Sequence, residues 1–262
     1  MMAALARPRS LDDLRALLEA SVPHALDGAA VPTGLADDSR AVTPGVVFFA
    51  RRGSQVDGAR YIADARTRGA SIVVTEQPPA DGGPALIVRD VDAALRRAAD
   101  AWYGAPQTGL GLVGITGTKG KTTTGALTAG ALRACGRTPA TLGTIAHDLG
   151  GETPEPSGNT TPGALELRRL LATARDNGCD TAVLEVSSHA LDQGRTAGLD
   201  FGVGVFTNLA SDHIDYHGDP QAYFEAKARL FSGLSPAATA VLNREDAAWS
   251  RFAARVQGAV LS

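Results

Sequence analysis

The stretch Gly114-Ile-Thr-Gly-Thr-Lys-Gly-Lys-Thr-Thr-Thr124 decides the fold, because an apolar segment precedes it and a helix-forming segment follows it. Residues 109–115 are apolar and β-branched enough for a buried strand, and residues 122–133 suit a helix. A glycine turn between a strand and a helix points backbone N–H groups and the positive end of the helix at an anion. The stretch therefore predicts a phosphate-binding loop within an α/β sheet.

The loop is a variant of the strict P-loop pattern, because Ile115 stands where that pattern has its first glycine. Lys121 would add a point charge against phosphate, and Thr122 would add a hydroxyl suited to Mg²⁺. The alternative is an ordinary glycine turn, which an isolated Gly-Lys-Thr often is. The flanking strand and helix favour binding of ATP or GTP.

Composition indicates a globular chain of two modest domains. It has 262 residues, of which 44% are hydrophobic and 20% are charged, and its net charge is -3. Without a basic block, this balance argues against a nucleic-acid-binding surface. Residues 11–18 are amphipathic, unlike a signal-peptide core, and no apolar run has the length of a membrane span. Cys135 and Cys179 lack metal-ligand spacing, so we expect reduced thiols and a cytoplasmic location.

Strand-like and helix-like segments alternate, which predicts the α/β class. Residues 1–104 form the first predicted domain, a small α/β unit. Residues 109–262 form the second, with a doubly wound and mostly parallel sheet. The predicted strands are 46–50, 71–75, 85–88, 109–115, 181–186, 201–207 and 238–242. The predicted helices are 11–20, 59–68, 91–103, 122–133, 164–177 and 220–231, and residues 147–162 are predicted to be a long loop.

Polar residues lie at the predicted carboxyl ends of strands, where ligands bind in sheets of this kind. Glu185 ends an apolar strand and could bind Mg²⁺ directly or through water, or it could be a strand-end acid or a helix cap. His213 follows Asp212 and precedes Asp215, so a metal or proton-transfer role competes with a structural one.

The local sequence leaves the roles of several other polar residues open. Thr160 or Thr161 could cap the helix that follows them, or could hold an anionic substrate. Arg195 is a natural partner for a phosphate or carboxylate, although an arginine in a turn commonly has no binding role. Lys227 lies in a helical run and, taken alone, reads as a solvated helix lysine.

Together, these motifs resemble the Mur ligases, and among them the members that add the third amino acid of the precursor peptide. The resemblance rests on Asp38-Ser-Arg40, Gly117-Thr-Lys-Gly-Lys-Thr-Thr123, Asn159-Thr-Thr161, Glu185-Val-Ser-Ser-His-Ala-Leu-Asp-Gln-Gly-Arg195, and residues 206–218 continuing into Ala226-Lys-Ala-Arg-Leu-Phe231. The motifs follow the family order over nearly the whole chain.

The resemblance implies an ATP-dependent ligase that forms an amide on UDP-N-acetylmuramoyl-L-alanyl-D-glutamate through an acyl phosphate. The amine would be meso-diaminopimelate or L-lysine. ATP, Mg²⁺ and a carbamate on Lys227 are the implied cofactors. We expect a monomer with no nucleic-acid partner and no membrane insertion.

The same resemblance implies a role for individual residues. Those implied to hold ATP are Gly117, Thr118, Lys119, Gly120, Lys121, Thr122 and Thr123. Those implied to serve the metal are Thr122, Thr123, Glu185, His213 and Lys227, and the implied catalytic set is Lys121, Glu185, His213 and Lys227. Ser39, Ser54, Gln55 and Val56 match positions for the uridine diphosphate end. Asn159, Thr160, Thr161, Ser187, Gln193 and Arg195 match positions for the muramoyl peptide.

Two departures from the family pattern leave alternatives. Lys119 stands where the family commonly has asparagine or another polar residue, which changes the local charge. Family members are also longer, and we expect the rest of the central sheet and a third, amino-acid-selecting domain to be absent from this chain. A binding module without catalysis is therefore one alternative, and a different ligase of the superfamily, such as a folylpolyglutamate synthetase, is another.

Overall fold

The computed structural model describes residues 7–22, 28–53 and 56–262. The chain divides into two compact units, Met1–Ala105 and Pro106–Ser262. None of the helices in the described part of the chain combines the length and the apolar character needed to cross a lipid bilayer.

The first unit contains a parallel sheet of four strands in sequence order. The strands are β1 (Gly34–Ala36), β2 (Val46–Phe49), β3 (Ile72–Thr75) and β4 (Ala85–Ile87). The helices are α1 (Leu11–Leu18), α2 (Ile62–Thr67) and α3 (Val91–Trp102), with 3₁₀ turns at Ser39–Ala41 and Gly58–Tyr61. Every residue of β2 and β3 is buried, which explains their continuous apolar sequence.

Two of these helices begin where their sequences provide a cap. The Ser10 side chain accepts the N–H of Asp13 at 3.1 Å at the start of α1. The Asp90 side chain accepts the N–H of Ala93 at 2.9 Å at the start of α3. Each cap satisfies one of the N–H groups that lack a partner inside a helix.

The second unit contains an eight-stranded sheet. Its strands are β5 (Gly111–Thr116), β6 (Pro139–Leu142), β7 (Ala146–Asp148), β8 (Glu155–Pro156), β9 (Thr181–Glu185), β10 (Val203–Phe206), β11 (Thr239–Leu242) and β12 (Ala259–Leu261). The order is β12-β11-β10-β5-β9-β6-β7-β8, and only the β6–β7 and β7–β8 pairs of these described strands are antiparallel.

Helices follow most of these strands. They are α4 (Lys121–Ala134), α5 (Ala164–Asp176), α6 (Ser188–Asp192), α7 (Ile214–His217), α8 (Pro220–Ser232) and α9 (Trp249–Ala253). Because later strands are added on both sides of β5, the sheet has the switch point typical of a doubly wound fold. The α/β class and the mostly parallel sheet predicted from the sequence are confirmed.

An aromatic cluster lies in the core of the second unit. The Phe252 ring is 4.2 Å from the Phe206 ring and 4.7 Å from the Phe224 ring, measured between centroids. Phe231 is 5.2 Å from the same ring. These contacts join β10, α8 and α9, so α8 is held firmly beside the strand ends that carry the polar residues.

The structure differs from the sequence-based expectation for residues 147–162. That segment was expected to be a loop, but β7 and β8 form antiparallel pairs within it or at its start. These strands have only three and two residues, which is too short for a periodic pattern to show. The three-residue strands β1 and β12 lie outside the predicted set for the same reason, and the four-residue strand β6 also lies outside it.

Candidate nucleotide and acyl-activation site

Three polar segments meet at one edge of the larger sheet. Strand register pairs Glu185 at the end of β9 with Ile115 of β5, and Thr116 of β5 with Phe206 of β10. The chain therefore leaves β5, β9 and β10 at the same level. The residues that follow these strand ends are the ones that the sequence analysis selected.

The loop after β5 has the backbone that its glycines predict. Gly120 has φ +83° and is the N-cap residue of α4, and Gly117 has φ +152°. A Cβ atom at Gly117 would lie 1.9 Å from the Thr207 hydroxyl oxygen, so no larger residue fits there without displacement. The first N–H groups of α4 have no partner within the helix, which leaves them available to an anion.

Asn208, just after β10, braces this loop. Its backbone oxygen accepts the N–H of Thr118 at 2.9 Å, and its side-chain oxygen accepts the N–H of Lys119 at 3.0 Å. Its side-chain nitrogen donates to the Lys119 carbonyl at 3.0 Å. The sequence analysis quoted this segment but did not select Asn208, because an asparagine after a strand has no distinguishing pattern.

Lys121 lies over its own loop. Its Nζ donates to the carbonyl oxygens of Gly117 and Thr118 at 2.8 and 3.1 Å. Burial lowers the pKa of Lys121, while the negative charges of Glu185 and Asp212 oppose that change. The ammonium is thus held where the loop would receive phosphate.

Glu185 is buried and is held by hydroxyl and amide groups. Thr122 Oγ1 donates to Glu185 Oε2 at 3.0 Å. Thr144, which the sequence analysis did not select, donates from its N–H to Oε1 and from its hydroxyl to Oε2, both at 3.0 Å. No lysine or arginine forms a direct ion pair with Glu185 in the described part of the chain, although Lys121 lies near enough for the two charges to interact.

A cavity of about 210 Å³ lies beside Thr122 and Glu185. Small and apolar side chains form most of its remaining wall, including Gly125, Ala126 and Val183. A carboxylate and a hydroxyl oxygen beside open space are oxygen donors of the kind that Mg²⁺ prefers. These residues therefore fit a Mg²⁺ ion, although no cluster of three or more His, Cys, Asp or Glu side chains suited to a metal occurs in the described chain.

Lys227 is buried, with only 1% of its surface exposed, contrary to the reading of an isolated helix lysine. Its Nζ donates to the Gly117 carbonyl at 2.9 Å and lies 4.6 Å from the centre of the Tyr223 ring. Burial, with the Lys121 charge as the second cause, lowers the pKa of Lys227 to about 7. The side chain is therefore a partly neutral amine beside the phosphate-binding loop.

His213 lies in a group of aromatic rings. It is the N-cap residue of α7 with φ +52°, and its ring is 4.8 Å from His189 and 6.4 Å from Tyr223. Its Nε2 is 3.6 Å from a carboxylate oxygen of Asp212. None of the contacts found among the described residues joins His213 to Glu185, so the structure does not bring these two predicted metal ligands together directly.

Thr123 also stands apart from Glu185. It is exposed in the first turn of α4, whereas Thr122 contacts the carboxylate. Of the two threonines predicted near Mg²⁺, Thr122 is the one that contacts Glu185.

The residues predicted for the muramoyl peptide form a connected group. Thr161 Oγ1 donates to the Glu185 carbonyl at 2.8 Å and accepts the N–H of Ser187 at 3.0 Å. Arg195 donates to the Thr161 carbonyl at 2.7 Å and to the side-chain oxygen of Gln193 at 2.7 Å. Predicted residues that are far apart in sequence therefore lie beside the Glu185 strand end.

Thr160 and Asn159 continue this group. The hydroxyl oxygens of Thr160 and Thr144 are 3.0 Å apart, and the Asn159 carbonyl accepts the Ser157 hydroxyl at 2.9 Å. The loop before α5 thus meets the loop that holds Glu185.

The residues predicted for the uridine diphosphate end belong to the first unit. Ser39 is buried in the 3₁₀ turn after β1, whereas Val56 is 38% exposed and its carbonyl accepts the N–H of Gly53 at 2.8 Å. Ser54 and Gln55 lie outside the described residues. Arg51, at the start of the same segment, donates to Asp37 at 2.8 Å and also pairs with Asp92.

Comparison with protein families gives two matches. The model described as "Mur ligase middle domain" matches residues 115–262, and the model described as "Mur ligase family, catalytic domain" matches residues 33–103. The two matches fall in different compact units of the structure.

Two curated relatives with the same name resemble this chain over most of its length. A protein of Geobacter metallireducens named UDP-N-acetylmuramoyl-L-alanyl-D-glutamate--2,6-diaminopimelate ligase is 46% identical over 237 residues, covering 87% of this chain and 46% of the relative. A protein of the same name from Solibacter usitatus is 48% identical over 218 residues, covering 82% and 44%. The chain spans about half the length of the curated relatives it matches.

Solved structures agree in fold. A structure of UDP-N-acetylmuramoyl-L-alanyl-D-glutamate--2,6-diaminopimelate ligase matches 99% of this chain and 52% of its own, with TM-score 0.73 and 29% identity. A crystal structure of MurF from Acinetobacter baumannii matches 98% and 53%, with TM-score 0.67 and 18% identity, which is a likeness of fold alone.

Proposed function

The chain belongs to the Mur ligase family, and from that premise we propose that it carries the ATP-binding and acceptor-binding parts of an amide ligase. The acceptor would be UDP-N-acetylmuramoyl-L-alanyl-D-glutamate, and the amine would be 2,6-diaminopimelate. The names of the relatives at 46% and 48% identity support this choice of amine over L-lysine. The ligase would act by converting the D-glutamyl carboxylate to an acyl phosphate that the amine attacks.

The loop from Gly117 to Thr123 would hold the ATP phosphates. Three observations support this role: the strand–loop–helix geometry, the left-handed conformation of Gly120, and the position of the Lys121 ammonium over the loop. Backbone N–H groups and the helix end stabilise phosphate oxygens, and a lysine adds a full charge.

Thr122 and Glu185 would hold Mg²⁺, directly or through water. The Thr122 hydroxyl can donate its proton to Glu185 and still present an oxygen lone pair to a cation. The ion would neutralise negative charge on the phosphates during transfer. His213 stays a candidate through its place at the same sheet edge, without a contact to Glu185.

Lys227 would carry a carbamate. The ammonium first loses one proton to solvent, the neutral Nζ then attacks CO₂ and forms a C–N bond, and a second proton leaves to solvent, so that a cation has become an anion. A buried lysine with a pKa of about 7 supports this chemistry, because a large fraction of the amine is neutral near pH 7. The anion would then add a negative charge beside the metal and the loop.

The connected group around Glu185 would hold the muramoyl peptide. Arg195 is fixed by bonds to Gln193 and to the Thr161 carbonyl, so its guanidinium has a defined orientation toward a carboxylate. Ser39 and the segment near Val56 would serve the uridine diphosphate end. Cys135 and Cys179 are free thiols, which fits the cytoplasm as the compartment.

One observation carries the proposal: a buried, partly neutral lysine donates to the same loop that is built to bind phosphate. A site that only binds nucleotide has no need of such an amine. The site therefore favours activation of a carboxylate over binding alone.

Trapping the activated carboxylate tests the proposal. The chain is mixed with ATP, Mg²⁺, UDP-N-acetylmuramoyl-L-alanyl-D-glutamate and hydroxylamine, which converts an acyl phosphate to a stable hydroxamate. We expect ATP-dependent hydroxamate from the wild type and from Arg133→Ala, whose exposed cation lies at the far end of α4. We expect loss of hydroxamate with Lys227→Met. Binding of both substrates without any hydroxamate would support the non-catalytic alternative instead.

A further inference from the structure

Thr144 connects two parts of the site that the proposed function uses separately. Its N–H and hydroxyl contact both carboxylate oxygens of Glu185, each at 3.0 Å. The same hydroxyl oxygen lies 3.0 Å from the hydroxyl oxygen of Thr160. Thr144 therefore lies between the predicted metal carboxylate and a predicted substrate residue.

The preceding residue makes this contact possible. A Cβ atom at Gly143 would lie 2.1 Å from Glu185 Oε1, so a side chain there would displace the carboxylate or the loop. The absence of a side chain lets the backbone approach closely enough for the Thr144 N–H to reach Oε1. The loop between β6 and β7 is thus fitted to Glu185.

Proton counting limits the hydrogen bonds of the Thr144 hydroxyl. An ionised carboxylate only accepts hydrogen bonds, and a threonine hydroxyl has one proton to donate. The Thr144 hydroxyl is the donor toward both Glu185 Oε2 and Thr160 Oγ1, so the two acceptors share one proton. Thr144 is thus a common donor to Glu185 and Thr160, and its N–H adds a bond to Oε1 of Glu185 that Thr160 does not share.

We propose that Thr144 is a positioning residue that orients Glu185 for Mg²⁺ and links it to Thr160. The inference rests on the proposed function, in which Glu185 serves the metal. Thr160 accepts from Thr144 and keeps its own hydroxyl proton, which it can donate to an oxygen of the substrate. A change at Thr160 would reach the metal through Thr144.

The inference is tested by the effect of Mg²⁺ on nucleotide affinity. Calorimetry gives the Kd of ATP for this chain with excess Mg²⁺ and with EDTA. The ratio of the two values measures how much Mg²⁺ strengthens ATP binding, and this ratio is the Mg²⁺ effect. Thr144→Val removes the hydroxyl and keeps the shape and the backbone N–H, whereas Thr144→Ser restores a hydroxyl. Thr138→Val, just before strand β6, is the matched control, because the Thr138 hydroxyl donates to the Gly178 carbonyl at 3.0 Å and has no bond to Glu185 in the described structure.

We expect Thr144→Val to lower the Mg²⁺ effect by about 10- to 100-fold, the usual loss when a partner of a metal ligand is removed. Its Kd for ATP in EDTA and its melting temperature should stay close to the wild type. Thr144→Ser and Thr138→Val should keep most of the Mg²⁺ effect. A purely structural role would instead lower the affinity equally with and without Mg²⁺.

A double-mutant cycle tests the link to Thr160. Thr160→Val removes the acceptor that competes with Glu185 for the Thr144 proton, so alone it should change the Mg²⁺ effect a few-fold, and it should have no effect in a Thr144→Val background. An unchanged Mg²⁺ effect in Thr144→Val, with the wild type responding to Mg²⁺, would overturn the inference and leave the proposed function standing. A wild type that binds no ATP under either condition would overturn the proposed function, and the inference would fall with it.

Discussion

Lys121 and Lys227 both donate a hydrogen bond to the carbonyl oxygen of Gly117, at 2.8 and 2.9 Å. The first lysine begins the helix after the loop, and the second lies on α8, more than a hundred residues later. Two ammonium groups on one acceptor repel each other, and burial adds to the cost of charge on both. The outcome is asymmetric, because Asp212 supports both charges, whereas Glu185 supports the charge of Lys121 and the pKa of Lys227 falls to about 7.

This arrangement predicts how stability depends on pH. The folded pKa of Lys227 is lower than the unfolded value of 10.5, so the unfolded chain binds more protons between about pH 7 and pH 10.5. The destabilising contribution of Lys227 is therefore full below pH 7 and is lost as the pH rises through that window. The free energy of unfolding should rise by about 1.4 kcal/mol per pH unit from this group.

Urea unfolding in CO₂-free buffer at several pH values measures that slope for the wild type and for Lys227→Met. The stability difference between the two should move in favour of the wild type as the pH rises from 7 to 9. Parallel curves for the two proteins would show that the amine is fully charged in the folded chain.

A pair of glycine substitutions separates the loop from the helix that follows it. Gly117→Ala should impair ATP binding, because its Cβ would meet the Thr207 hydroxyl at 1.9 Å in a left-handed backbone. Gly130→Ala, in the exposed middle of α4 with no neighbour within 4 Å, should stabilise the fold by about 0.5–1 kcal/mol. Thermal melting and ATP titration of both variants check this pair. Equal ATP affinity in the two would mean that the loop tolerates displacement.

Asn208 should matter for nucleotide binding although it is not expected to touch the ligand. Asn208→Ala removes two side-chain bonds to the Lys119 backbone, at 3.0 Å each, and keeps the backbone bond to Thr118. The loop should become less ordered, and ATP affinity should fall by about tenfold, the loss expected from roughly 1–2 kcal/mol of hydrogen bonding. Titration of ATP measures this, with Asn243→Ala as the control, since Asn243 donates to the Thr207 carbonyl. A larger loss of ATP affinity in Asn243→Ala than in Asn208→Ala would show that Asn208 is not the main support of the loop.

Tyr223 should link α8 to the loop through its hydroxyl. Its oxygen lies 3.0 Å from the Thr118 hydroxyl, and its ring faces Lys227. Tyr223→Phe keeps the ring and removes the bond, so we expect a loss of stability of about 1 kcal/mol and an unchanged pH slope from Lys227. Tyr223→Leu also removes the ring, which favours the ammonium, so its pH slope should begin at a lower pH. Identical pH profiles for the two variants would argue against the ring contact.

The sequence analysis predicted the parts of the site that have a local signature. A glycine turn between an apolar strand and a helix predicts the Gly117 loop, and an acid at the end of an apolar strand draws attention to Glu185. The class of fold follows from alternating strands and helices.

Other parts depend on contacts between distant segments. Lys227 has the local pattern of a solvated lysine, and it is buried only because α8 packs under the loop. Thr144 and Asn208 acquire their roles from the loops that they meet, so no spacing in the sequence predicts them. The short strands β7 and β8 also have no signal in the sequence, because they form by pairing with neighbouring strands and are too short to show a periodic pattern.

We propose that this chain holds ATP and the muramoyl dipeptide through different residues. Calorimetric titration with Mg²⁺·ATP and with UDP-N-acetylmuramoyl-L-alanyl-D-glutamate tests this proposal, using the wild type, Lys121→Ala and Arg195→Ala. We expect the wild type to bind both ligands, Lys121→Ala to lose ATP, and Arg195→Ala to lose the dipeptide while still binding ATP. Binding of a folate in preference to the dipeptide, or no binding of either ligand by the wild type, would contradict it.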